Sequence, residues 1–175
     1  MMQLKMKKKF VYFVILFLAI ILQTSALPLI LPGKAVGDVV LMLVLAGVVL
    51  DGFFGFFWWA IFFGIFYDLA VYQIIGTSSL TFLLLVYFVS FFSRRFSVEL
   101  KGLGLLFFVG FVVVASIISH IIATLPLVLH EKGFSVLLQS FGSLKIFSLE
   151  IFYNLLLFLV CFIILRKAKN FFTID

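Results

Sequence analysis

Apolar residues run along this chain in long blocks, and the few polar ones gather at the block ends. The blocks are Phe10–Leu31, Ala35–Leu50, Gly52–Tyr72, Ser78–Phe92, Gly102–Leu125 and Ile146–Leu165. An α-helix rises 1.5 Å per residue, so a hydrocarbon core of about 30 Å takes about 20 residues, and most blocks approach that length. The block Ala35–Leu50 reaches only about 24 Å. It is expected to be a short span, accommodated by local thinning of the bilayer, rather than a re-entrant piece. Pro28 and Pro32 bring the first block to a close, Asp51-Gly52 and Ile75-Gly76-Thr77 mark turns, and Pro126 marks the end of the fifth helix. Thr24-Ser25-Ala26 resembles a signal-peptidase site, but the apolar run continues through Leu27 to Leu31, so an uncleaved first span is expected. His130 to Gly133 opens the longest loop, and Phe134–Leu144 alternates apolar with polar residues, as a segment lying at the interface would.

Composition turns this pattern into a class. Of 175 residues, 66% are hydrophobic and 11% charged, against roughly 45–50% apolar in soluble domains. A water-soluble domain of this size could not hide that surface. The expectation is a single polytopic transmembrane domain, residues 1–175, all-α, with about six helices in one bundle. The net charge of +6 does not indicate nucleic acid, because the basic residues sit at the ends of the apolar blocks. Six crossings put both termini on one side. That side collects Lys5, Lys7, Lys8, Lys9, Arg94, Arg95, Lys101, Arg166, Lys167 and Lys169, leaving Lys34, Lys132 and Lys145 for the other. The positive-inside rule then predicts cytoplasmic termini, with the basic ends touching anionic lipid. The single cysteine, Cys161, allows no internal disulfide.

The stretch from Asp51 to Leu80 carries a pattern beyond hydrophobicity. Gly52, Gly55, Ala60, Gly64 and Gly76 are small residues that let another backbone approach, and Asp68 is an acid deep in an apolar run. Such an acid costs roughly 2.5–3.5 kcal/mol on insertion scales and should have a partner inside the bundle. With the predicted topology Asp68 lies roughly 24 Å, and His120 roughly 27 Å, from the inner boundary. Glu150 lies one turn into the last helix, so Asp68, Ser116, His120, Glu150 and Asn154 form an expected outer polar layer. Its simplest role is hydrogen-bonded packing between helices; a small-molecule pocket is the sharper alternative. One histidine and two carboxylates lack the spacing of a metal site. Aspartyl-protease chemistry needs a second carboxylate to share a proton, yet Asp38 and Asp51 stand at helix ends. Ser78 or Ser79 with His120 shows no activated-serine spacing. No catalytic, cofactor or metal site is expected, and the chain is not expected to be an enzyme.

Gly52-Phe-Phe-Gly55-Phe, then Gly64-Ile-Phe-Tyr67-Asp68-Leu69, then Gly76 and Leu80 resemble the signature of the rod shape-determining protein MreD family. That signature is a glycine-rich apolar helix ending in Gly-Leu-x-x-Asp, followed by Leu-Gly and a further apolar helix. Ile65 stands for the usual leucine, Ile75 precedes Gly76, and Gly37-Asp38 replaces a common Pro-Asp. The resemblance implies a bacterial inner-membrane component of the cell-elongation machinery that supports peptidoglycan synthesis and cell shape. It implies an MreC-type membrane protein as direct partner, with MreB, RodA and the elongation transpeptidase nearby. The rival expectation is the substrate-binding subunit of an energy-coupling factor importer, also small and six-helical and of similar fold. There an Ala-x-x-x-Ala motif docks the coupling subunit, whereas here Ala19 is followed at that spacing by Gln23.

Overall fold

The structure, a computed structural model, describes residues 2–30, 37–93, 103–131 and 144–171. The segment Phe134–Leu144, apart from its last residue, lies outside them, as do Lys34, Arg94, Arg95, Lys101 and Lys132. All regular structure among the described residues is helical: α1 (Met2–Ile21), a π-helical turn (Leu22–Ala26), α2 (Leu27–Ile30), α3 (Val39–Val71), α4 (Thr77–Ser93), α5 (Leu103–Glu131) and α6 (Leu144–Phe171). Four stretches are long and apolar enough to cross a membrane, Phe10–Leu29, Val39–Val71, Leu106–Pro126 and Lys145–Phe171, and Thr77–Phe92 is a shorter apolar helix. This is an all-α membrane protein.

The 33-residue α3 is two helices, not one. Gly52 breaks it with φ 72° and ψ −173°, a conformation open in practice only to glycine. Beyond that break the chain doubles back. The Tyr67 hydroxyl donates to Asp38 Oδ2 at 3.3 Å although the two are 29 positions apart, a separation of about 44 Å along a straight helix. Facing arms also meet where the Phe56 ring occupies the space that a Cβ on Gly47 would need. Asp51-Gly52 is therefore the turn that the sequence suggests.

The first arm, residues 39–51, is the centre of the molecule. Every residue from Val39 to Val48 is buried. Its sequence, Val-Val-Leu-Met-Leu-Val-Leu-Ala-Gly-Val, is apolar all round, which suits a helix enclosed on every side. It spans only about 20 Å. The expected start at Ala35 is corrected to Val39, because Gly37 and Asp38 are not helical and the Asp38 side chain accepts from the Leu41 N–H at 2.9 Å as an N-cap. The chain is thus organised around residues 39–51, one arm earlier than the Asp51–Leu80 stretch that the sequence singles out.

Contacts at both ends of this arm give the directions of the others. Asn154 of α6 meets Asp38 and Lys169 of α6 meets Asp51, so α6 runs alongside the first arm. In α1, Tyr12 packs on Phe56 and Gln23 bonds Gly37, so α1 runs with the second arm. α4 starts beside Asp68 and returns toward Phe53 and Phe54. α5 runs from Phe108, packed on Phe158 and Phe162, to Ser116, bonded to Asn154. Taken in order, α1, the two arms of α3, α4, α5 and α6 alternate in direction.

Three further predicted helix ends move: α1 starts at Met2 rather than Phe10, and α5 and α6 run on past their expected ends. Pro126 does not stop α5, which continues to Glu131. Proline removes the donor to the Ile122 carbonyl without ending the helix, as membrane helices tolerate; one turn earlier the Thr124 hydroxyl donates to the His120 and Ile121 carbonyls at 2.7 and 3.2 Å. Likewise α6 runs past Leu165 through Arg166, Lys167 and Lys169 to Phe171. The basic residues extend the helix, in the position where they also complement its negative end.

Candidate functional site

The richest polar geometry surrounds the start of the central arm. Gly37 and Asp38 are not helical, so their backbone groups need partners from elsewhere. α1 widens into a π turn at Leu22–Ala26, where the Leu27 N–H bonds the Leu22 carbonyl and the Thr24 hydroxyl donates to the Ile20 carbonyl at 2.9 Å. From that turn Gln23 serves both sides of the break. Its Nε2 donates to the Gly37 carbonyl at 3.2 Å, and its Oε1 accepts from the Val39 N–H at 2.8 Å. Asn154 takes the remaining donor: its Oδ1 accepts from the Asp38 N–H at 2.8 Å, while its Nδ2 donates to Ser116 Oγ at 2.9 Å. α2 continues seven residues past Gln23 to Ile30, so Gly37 lies about 10 Å short of that helix end. Irregular backbone at such depth survives only when enclosed in protein, and Gln23 and Asn154 supply the enclosure.

One turn before Asn154, Glu150 pairs with His120 of α5. His120 Nε2 lies 2.9 and 2.8 Å from the two carboxylate oxygens, joining α5 to α6 beside the Asn154–Ser116 bond. Ser116, His120, Glu150 and Asn154 are therefore brought together as one network, to which the structure adds Gln23, Asp38 and Tyr67. Asp68 stands apart from it. Its carboxylate is fully buried and accepts from the Gly76 N–H at 2.7 Å and the Ser78 N–H at 2.9 Å, holding the loop and first turn of α4. An acid at a helix N-terminus satisfies orphan donors and complements the helix dipole.

The small residues of the second arm are used inside the chain. Gly64 faces the Ser79 backbone, with a hypothetical Cβ only 2.5 Å from Ser79 Cα, and the Ser79 hydroxyl donates to the Ile61 carbonyl at 3.1 Å. Ala60 is fully buried. The Ala60–Gly64 stripe, a candidate to receive a partner helix, is thus filled by α4. Gly52 makes the reversal, Gly76 takes φ 103° in the turn before α4, and Gly55 faces outward beside Asp51.

A second polar cluster closes the opposite end of the central arm. The break at Gly52 frees the Leu50 carbonyl, which accepts from Lys169 Nζ at 2.6 Å. The same ammonium pairs with Asp51 at 2.9 Å, and Tyr12 lies beside that carboxylate. Sequence reasoning passed over Asp38 and Lys169 because each looks like a block-end residue, and Gln23 because a lone amide inside the first apolar block points to no partner. The available signal was the shortness of the second block, which leaves its ends inside the bundle. Among the described residues no group of three His, Cys, Asp or Glu side chains is placed to hold a metal ion. No family model, curated protein or solved structure matches this chain.

Proposed function

We propose that this chain is a non-enzymatic component of a bacterial cell-elongation machinery, related to the MreD family, that binds a single-span MreC-type protein in the inner membrane. The observation that carries the reading is how the residues behind the resemblance interlock. Gly52 reverses the chain, Gly64 seats the Ser79 backbone, and Asp68 ties down the Gly76 turn and Ser78.

In this reading the six alternating rods are six membrane crossings, the central arm a short one among them. The charge distribution sets both termini in the cytoplasm. Gln23, Asp38, Asp51, Asp68, Ser116, His120, Glu150, Asn154 and Lys169 all bond within the chain. Partner contact then falls on the lipid-facing surface and the chain's ends, where helix association rests on packing rather than on hydrophobic drive. MreB, RodA and the elongation transpeptidase would be reached through the assembled complex. Ala19 is buried and Gln23 is engaged with the central arm, so the positions that would dock a coupling subunit in an importer face inward.

The test is co-purification with an MreC-type protein in mild detergent, alongside depletion in a rod-shaped host. A stable complex and rounding of depleted cells are expected. Cells that keep their shape, with an ATPase or a vitamin-like molecule on the purified protein, would transfer the chain to the importer reading.

A further inference from the structure

We infer that the chain carries a specific site for an anionic phospholipid, in a groove between α1 and the second arm of α3. The groove has a volume of about 510 Å³ and is lined by Phe13, Phe54, Gly55, Trp58, Trp59 and Phe62. That volume is in the range of small-molecule sites, roughly 300–1,000 Å³. Its walls face outward, with Phe54 83% and Trp58 74% exposed.

Charge and depth identify the occupant. α1 is one continuous helix from Met2, and Lys5, Lys9, Phe13 and Phe17 follow at four-residue spacing along it. Positions so spaced share a helix face. Phe13 lines the groove and stacks on Phe17, so positions 5 and 9 continue the groove's face toward the chain terminus. Because Tyr12 packs on Phe56 and Phe13 on Phe63, with both helices running the same way, the Gly52 turn is level with the lysine-bearing first turns of α1. The groove starts just past that level and runs from Phe54 to Phe62, about 12 Å along the helix. One leaflet of a 30 Å core is about 15 Å deep. A groove one leaflet deep, with basic positions at its mouth, fits acyl chains under a phosphate headgroup. A spanning partner helix would need a contact continuing along the second arm to its far end.

The site holds whatever the protein partner proves to be. The chain has two tryptophans, Trp58 and Trp59, and both line the groove, so selectively excited tryptophan fluorescence reports on it. The full chain is reconstituted in phosphatidylcholine vesicles, and phosphatidylglycerol or phosphatidylcholine with brominated acyl chains is titrated in as quencher. Quenching by the anionic lipid should reach half-maximum at an at least tenfold lower mole fraction (about fivefold per lysine is expected for charges at a membrane surface). Lys5→Gln with Lys9→Gln should move the phosphatidylglycerol curve most of the way to the phosphatidylcholine curve, while the phosphatidylcholine curve stays in place as proof of an intact fold. Identical curves for the two lipids in the wild type would reduce the groove to bulk lipid contact. An unmoved phosphatidylglycerol curve in the double variant would remove the lysines from the site. No quenching by either lipid would mean that protein, such as a second copy, covers the groove. Each of these three results overturns the inference.

Discussion

Replacing Asp68 separates a packing acid from a dispensable one. Its side chain is fully buried, and each carboxylate oxygen accepts one backbone N–H, from Gly76 and from Ser78. Asp68→Leu strands both donors where water cannot reach them. A buried donor left unpaired costs about 1–3 kcal/mol, so the leucine variant should lose about 2–6 kcal/mol. Asp68→Asn keeps one acceptor oxygen but turns an NH2 toward the second donor, so it should lose about half as much, about 1–3 kcal/mol. The expected order of stability is Asp, then Asn, then Leu. Unfolding by sodium dodecyl sulfate in mixed micelles, followed by far-ultraviolet circular dichroism, measures it. A leucine variant within about 0.5 kcal/mol of wild type, the range of inconsequential surface changes, would refute the argument that Asp68 holds the start of α4. An asparagine variant as damaged as leucine would refute the two-oxygen accounting instead.

Gly64→Ala should destabilise by about 1–3 kcal/mol through overpacking against Ser79, whereas Gly110→Ala, with open space around it, should be neutral or gain up to about 1 kcal/mol in the same unfolding assay. Gly52→Ala should cost about 1–3 kcal/mol because the reversal holds φ at 72°, and lowered thermal stability without change in helix content checks it. In a background with the buried Cys161 replaced by alanine, a cysteine at Lys132 should be labelled by an impermeant reagent from outside and one at Arg95 should not; the reverse pattern would invert the orientation.

The helices were legible because apolar length is dictated by the bilayer: every predicted block holds a helix, while α1, α5 and α6 run six to eight residues past the predicted bounds. The turn at Asp51-Gly52 was legible for a local reason, glycine after a polar residue. The pairings of Ser116 with Asn154 and His120 with Glu150 lay within reach of depth counting, since both members of each pair share a level. Asp68 shows where that counting stops. Its depth matches the layer, but its partners are main-chain donors of the following turn, which side-chain type cannot reveal. Asp38 and Gln23 were invisible for a related reason. An Asp ahead of an apolar run is a cap signal for a helix starting at Val39, but no local pattern told that Gly37 and Asp38 would need outside partners from Gln23 and Asn154. Pro126 misled because proline is a breaker on average, while a membrane helix can continue through it, as α5 does to Glu131.

The central arm also imposes an order on biosynthesis. At about 20 Å it is too short to cross a bilayer unaided. Its two ends are held by Asn154 and Lys169, which lie 116 and 119 positions later in the chain. At about 5–20 residues per second, the ribosome needs roughly 6–24 s to deliver them. Throughout that interval the Asp38 N–H and the Leu50 carbonyl lack the partners they have in the finished fold, while Gln23 and Tyr12, already made, can engage Val39 and Asp51. A chain cut before α6 would keep the Gln23 and Tyr67 bonds at the start of its innermost helix but lose the Lys169 clamp at the other end, and membrane quality control would meet it as an unfinished product.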